Sequence, residues 1–119
     1  MSEVRFLDGG DLIDRLEVIE NKILERGDLA DHVPCDYYDF SVNVVELEGE
    51  LRLAVDIFSD EDGFDVLRVN WEMLAGTLID RLEDSGFFGF ASETLGENIE
   101  TERVLCLSAD AFVREVELG

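Results

Sequence analysis

The fold is decided by one stretch of the chain, residues 40–57, which reads FSVNVVELEGELRLAVDI. Apolar and polar residues alternate on both sides of Glu48-Gly49, and such alternation is typical of a half-buried β-strand. A two-residue turn at Glu48-Gly49 pairs the two runs as a hairpin. In that register three apolar pairs lie opposite one another: Val44 with Leu53, Val42 with Val55, and Phe40 with Ile57. All of these side chains then share one face, so the register is self-consistent.

The other face of the predicted hairpin is more polar. It carries Asp39, Ser41, Asn43, Arg52, Ala54 and Asp56. We therefore expect this face either to be solvated or to be offered to a partner.

Helices are predicted on both sides of the hairpin. Apolar residues recur at helical spacing between Asp11, a predicted N-cap, and Arg26, while Gly27 suits the C-cap. A second amphipathic helix is predicted over residues 71–85, with Asn70 as its N-cap.

Four further segments complete the predicted order of elements. Phe64–Val69 is expected to form a third strand, and residues 103–107 a further short strand. The aromatic run Phe87–Phe90 is expected to be a strand that lies in the core, in preference to an interface anchor or dimer patch. Residues 109–118 fit either a helix or a strand.

This order predicts a single α+β domain over residues 1–119. Its sheet is expected to be mostly antiparallel, a three-stranded meander plus one or two further strands. The two amphipathic helices are expected to cover one face of that sheet.

Charge is the strongest functional signal in the chain. Thirty acidic residues against nine basic ones give a formal charge of -21, while the mean hydropathy of +0.02 remains that of a globular protein. Residues 36–65 hold ten acids and one base, a net charge of -9, and are the most acidic part of the chain. Such a surface repels nucleic acid and anionic lipid and attracts basic proteins.

Motifs for catalysis or for metal binding are not found in the sequence. His32 and Cys35 lie close together, but triads are assembled across a fold, and a polar loop is the favoured interpretation. The acidic loop around Gly63 lacks the first ligand of a calcium loop, and one histidine with two distant cysteines argues against a zinc site. We predict a protein that is not an enzyme and that has no cofactor and no metal.

The two cysteines and the N-terminus bear on the compartment. Cys35 and Cys106 fit no disulfide framework, although a bond between them stays open, and the N-terminus lacks a signal-peptide pattern. A reduced, cytoplasmic protein is therefore expected.

Three hypotheses follow from the charge. Successive phosphates of a DNA strand and neighbouring carboxylates of a protein surface are both about 5–7 Å apart. The first hypothesis is a DNA-mimic inhibitor that occupies the basic, nucleic-acid-binding surface of a partner, by analogy of composition with the phage and plasmid proteins that block restriction or CRISPR nucleases. The second is an immunity protein that neutralises a cationic toxin nuclease. The third is a salt-adapted domain whose charge serves only solubility.

The predicted partner-binding residues lie at the two ends of the hairpin, with one residue between them. They are Glu46, Glu48, Glu50, Asp56, Asp60, Glu61, Asp62 and Asp65. Nine strand residues separate the two ends by about 30 Å, so a mimic built here needs helix carboxylates to fill the gap. No direct contact with nucleic acid or membrane is expected, and a homodimer is left open.

Overall fold

A computed structural model describes residues 4–7, 9–108 and 111–118, without the side chains of residues 111 and 112. Eight elements follow one another along the chain: β1 (Arg5–Phe6), α1 (Gly10–Arg26), β2 (Asp39–Leu47), β3 (Glu50–Phe58), α2 (Trp71–Asp84), α3 (Phe87–Leu95), β4 (Glu100–Ser108) and β5 (Ala111–Glu117). Short 3₁₀ turns lie at Ala30–His32 and Val66–Arg68.

The predicted hairpin is confirmed in detail. β2 and β3 pair antiparallel with Val44 opposite Leu53, and the flanking pairs keep the predicted register. Glu48 and Gly49 have φ angles of 54° and 83°, the left-handed geometry that a tight two-residue hairpin turn demands. The alternation of the sequence and the turn therefore specify the same pairing.

The five strands form one sheet in the order β1-β2-β3-β4-β5. Neighbouring strands are antiparallel except for β3 and β4, which are parallel and joined by the crossover through α2 and α3. The α+β class and the mostly antiparallel sheet are thus confirmed.

The helices cover one face of the sheet, as predicted. Leu12, Leu16, Ile19 and Ile23 form the buried stripe of α1, and Trp71, Leu74, Ala75, Leu78 and Leu82 form that of α2. These stripes pack in one cluster with the apolar residues of the hairpin, among them Phe40, Val55 and Ile57. Burial of this continuous apolar surface is the main stabilising contribution to the fold.

The helix caps are those predicted, with one exception. Gly27 ends α1 in the left-handed conformation, and the Asn70 side chain accepts the backbone N–H of Met73 at the start of α2. The N-cap of α1 is Gly9, so the prediction of Asp11 is wrong. Asp11 instead lies in the first turn, where a carboxylate interacts favourably with the helix dipole.

Two predicted strands are wrong. Phe64–Val69 is a loop with a 3₁₀ turn, because the Asp65 carboxylate accepts the backbone N–H of Leu67 and bends the chain. The run that begins with Phe87 is the third helix, α3, which buries Phe87 and Ala91 one turn apart against the core. Antiparallel β1 therefore takes the place of the predicted third strand, and α1 instead of a tight turn joins it to β2. Residues 111–117 of the ambiguous C-terminal segment form a strand.

The second face of the sheet is less polar than expected. Arg52 is 4% exposed and Ala54 is 1% exposed, so the prediction of a solvated face is wrong at these two positions. A small apolar cluster lies there: Val45, Ala54, Leu105 and Leu107, with Val4, Phe6 and Leu47 packed against it.

Candidate acidic interface

Two segments meet at the end of the sheet opposite the hairpin turn. β2 begins at Asp39 and β3 ends at Phe58, and these two residues are partners in the register. The segments before β2 and after β3 are therefore neighbours. We define the acidic end as Asp36, Tyr37, Asp39, Phe58, Asp60, Glu61 and Asp62.

Hydrogen bonds hold the acidic loop against the segment before β2. The backbone N–H of Tyr37 donates to Oε2 of Glu61 at 3.0 Å. The hydroxyl of Ser59 donates to the carbonyl of Tyr37 at 2.5 Å and accepts the N–H of Glu61 at 3.1 Å. These bonds connect the acidic loop to Tyr37 and set the position of the Glu61 carboxylate.

These contacts also shift two pKa values. The N–H of Tyr37 favours the ionised form and lowers the pKa of Glu61 from its usual value. Loss of solvent raises the pKa of the Cys35 thiol, and the nearby Glu61 carboxylate adds to this effect while Ser59 opposes it. Glu61 therefore stays negative, and Cys35 is held as a neutral thiol.

Two aromatic side chains are exposed among these carboxylates. Tyr37 is 79% exposed and Phe58 is 48% exposed. Both line an open groove of about 430 Å³ together with Asp39, Asp60 and Glu61. Aromatic side chains that bury large areas at low entropic cost are the usual anchors of protein interfaces.

Two further grooves adjoin the first. One, of about 450 Å³, is lined by residues that include Cys35, Asp36, Glu61 and Asp62. The other, of about 500 Å³, lies between the C-terminal half of α1 and the segment before β2. Among the residues that the structure describes, no lysine or arginine lines any of the three grooves. The acidic end is therefore open, aromatic and without a lining cation.

The predicted site residues do not form one site. Asp60, Glu61 and Asp62 lie together at the acidic end, but Glu46, Glu48 and Glu50 lie at the opposite end of the hairpin. Nine residues of strand keep the two sets about 30 Å apart.

Local structural contacts also involve Glu46, Glu50 and Asp65. Glu46 pairs with Arg5 at 3.8 Å, and Glu50 pairs with Arg52 at 3.1 Å. Asp65 caps the 3₁₀ turn. Asp56 lies between the two ends, half-buried on the second face of the sheet.

Sequence reasoning missed Asp36, Tyr37, Asp39 and Phe58 as site residues. The hairpin register contained the necessary signal, because it places Asp39 opposite Phe58 and so brings residues 36–39 to the acidic loop. The exposure of the two aromatic rings had no signal in the sequence.

His32 and Cys35 each contact a different residue. His32 Nε2 lies 3.4 Å from the hydroxyl of Thr77, and Cys35 donates to the carbonyl of Tyr37 at 3.3 Å. Cys35 and Cys106 are both free thiols. Among residues 4–7, 9–108 and 111–118, no three His, Cys, Asp or Glu side chains are grouped so that they could hold a metal ion.

The helices of the described ranges are too short or too polar to cross a membrane. Comparison with protein-family models, with curated proteins and with solved structures finds no match for this chain.

Proposed function

We propose that this protein is an acidic binding protein, without catalytic activity, that occupies the basic, nucleic-acid-binding surface of a partner protein. The acidic end makes the contact. Its carboxylates take the place of phosphates, and Tyr37 and Phe58 are the apolar anchors.

One observation carries the proposal: two exposed aromatic rings share a groove with carboxylates and with no lysine or arginine. Carboxylates that serve only hydration require no exposed aromatic neighbour. A basic surface would gain from both features, since opposite charge steers association and the buried ring lowers the rate of dissociation.

The separation of the two ends of the hairpin limits the size of the contact. The hairpin tip, about 30 Å away, is outside the reach of one compact basic patch. The proposed interface is therefore the acidic end alone, and the carboxylates of the tip contribute only to the long-range field.

The experiment begins with proteins that bind DNA in a lysate of the source organism. They are loaded on immobilised duplex DNA and eluted with the purified acidic protein at constant ionic strength. Each eluted protein is then purified and mixed with labelled duplex and the acidic protein together. We expect mutually exclusive binding; no elution, or a ternary complex with both affinities unchanged, would overturn the proposal.

The same experiment separates the two other hypotheses. A displaced protein that is a toxin nuclease, and whose activity is blocked, would make the chain an immunity protein. Salt adaptation predicts instead that nothing is displaced and that the fold unfolds in urea far more easily at low salt than at molar salt.

A further inference from the structure

One edge of the sheet is only partly covered. β1 pairs with Val45 and Glu46 of β2, and the N–H of Leu7 donates to the carbonyl of Val44 at 3.0 Å. Within the described residues, no strand lies beside residues 39–43 on that side. This part of β2 is a free strand edge.

The backbone groups of Phe40 and Val42 point to this edge. Alternate residues of an antiparallel strand present their N–H and C=O to the same side, and Val44 already uses that side for Leu7. Phe40 and Val42 are each only 3% exposed, backbone included, so a new strand can reach their N–H and C=O groups only by displacing the groups that now cover them.

Two side-chain carboxylates accept hydrogen bonds from the N–H groups of this edge. Oε1 of Glu20, from α1, accepts the N–H of Val42 at 2.6 Å. Oδ1 of Asp39 accepts the N–H of Phe40 at 2.8 Å. A free edge is a template for pairing with another chain, and side-chain carboxylates are a recognised means of protecting it.

A groove continues the edge beyond Asp39. It has a volume of about 500 Å³ and is lined by Leu24 of α1, by Gly27 and Ala30, and by residues 36–39. Asp39 therefore belongs both to this groove and to the unpaired edge of β2.

We propose that the free edge of β2 at Phe40 and Val42 binds an extended, basic segment of the partner as an additional strand. Its carbonyls replace Glu20 and Asp39 as acceptors of the two N–H groups. Its N–H groups donate to the carbonyls of Phe40 and Val42, and the two released carboxylates pair with its arginine or lysine side chains.

Charge complementarity favours a basic segment over a second copy of this chain as the added strand. Glu17 and Asp39 both act electrostatically on Glu20, so the edge is surrounded by like charges. A second copy of the chain, with its own charge of -21, would bring the same charges to the same place. The sign of the partner's charge rests on the proposed function, whereas strand pairing rests on the geometry of β2.

The test uses the peptide Ac-Arg-Val-Arg-Val-Arg-Val-NH2 and two backbone N-methylated isomers. One isomer is methylated at the arginines and the other at the valines, so all three peptides have equal charge. Because only one alternating set of N–H groups faces β2, we expect one isomer to lose at least about tenfold in affinity and the other to bind within about twofold of the parent. Equal affinity of both isomers, or no binding of the parent peptide, would overturn the inference.

Two variants of Glu20 with equal charge provide a second measurement. In E20Q the amide oxygen still accepts the N–H of Val42, whereas E20A leaves it free. We expect E20A to bind the parent peptide about two- to tenfold more tightly than E20Q, since no intramolecular bond is lost on binding. Equal affinities would contradict the proposed exchange of acceptors.

The two proposals fail separately. Displacement of a DNA-bound protein together with equal binding of both isomers would remove the strand-pairing inference and leave the proposed function. Isomer-dependent binding without displacement of any DNA-bound protein would remove the proposed function and leave the strand-pairing inference.

Discussion

The backbone N–H of Tyr37 donates to the carboxylate of Glu61 at 3.0 Å, which joins two segments that are 24 residues apart in sequence. This bond and the Ser59 hydroxyl between the same segments connect the acidic loop to the segment before β2. A binding surface that is already ordered loses less conformational entropy when a partner docks.

Removal of the Ser59 hydroxyl should loosen this surface without unfolding the protein. In S59A the carbonyl of Tyr37 and the N–H of Glu61 both lose a partner. We expect faster hydrogen exchange at the Glu61 amide and a loss of about 1 kcal/mol or less in the free energy of unfolding. S41A, which removes a hydroxyl on β2, is the control. Unchanged exchange at Glu61 in S59A would show that the hydroxyl does not order the loop.

Glu20 should make stability depend on pH. Burial raises its pKa to about 7, with Glu17 and Asp39 adding to the effect and the N–H of Val42 opposing it. The folded chain therefore retains a proton that the unfolded chain releases near its ordinary value of 4.5. Stability from this group is highest at low pH and falls as the pH rises from about 4.5 to about 7.

The measurement compares wild type with E20Q in urea at pH 5 and pH 8. We expect E20Q to gain up to about 1–2 kcal/mol relative to wild type between the two pH values, since solvent screens the half-buried position. E25Q is the control for loss of an exposed charge on the same helix. A difference between wild type and E20Q that is the same at both pH values would refute the assignment.

Arg52 should be the most important cation for stability. Its guanidinium is 5% exposed, pairs with Glu50 at 3.1 Å and contacts Glu115 at 2.5 Å. In R52M the partly buried Glu115 loses its closer partner and keeps only Arg103 at 3.7 Å, and we expect a loss of about 1–3 kcal/mol in the free energy of unfolding. The Arg103 side chain is 48% exposed and forms ion pairs at 3.7 and 3.9 Å. We therefore expect R103M to lower the free energy of unfolding by less than about 1 kcal/mol. Equal losses in the two variants would be inconsistent with this ranking.

The two thiols should differ in reactivity. Burial raises the pKa of Cys106 to about 12, and its side chain has no solvent exposure. Cys35 is partly exposed, with a raised pKa. We expect iodoacetamide at pH 8 to alkylate Cys35 slowly and Cys106 only after unfolding. The variants C35S and C106S assign each alkylation rate to one cysteine. Alkylation of Cys106 in the folded protein at the rate of Cys35 would contradict this prediction.

The sequence predicted best those elements that combine a long apolar periodicity with a cap or turn signal at one end. The hairpin register followed from alternation and a two-residue turn, and α1 from its apolar stripe and Gly27. β1 was missed because two residues show no periodicity, and its pairing with Glu46 is a long-range contact. In Phe64–Val69 the apolar residues suited a strand, but a hydrogen bond from the Leu67 N–H to Asp65 produced a turn.

The candidate site was only half predictable. The acidic loop was visible as a cluster of charge, but charge alone also selected the hairpin tip, which the length of the strands keeps apart. Tyr37 and Phe58 became candidates only when their exposure and their shared groove were known.

The central claim, that the acidic end makes the contact, is tested most directly with two variants of equal charge. D36N/D60N/D62N removes three exposed carboxylates of the acidic end and leaves the structural Glu61 in place. E93Q/E97Q/E102Q removes three exposed carboxylates, two of which line the groove beside the hairpin tip. The quantity measured is the protein concentration that releases half of the displaced partner from duplex DNA. The account predicts an increase of at least about tenfold for the first variant and less than about twofold for the second; equal increases would contradict it.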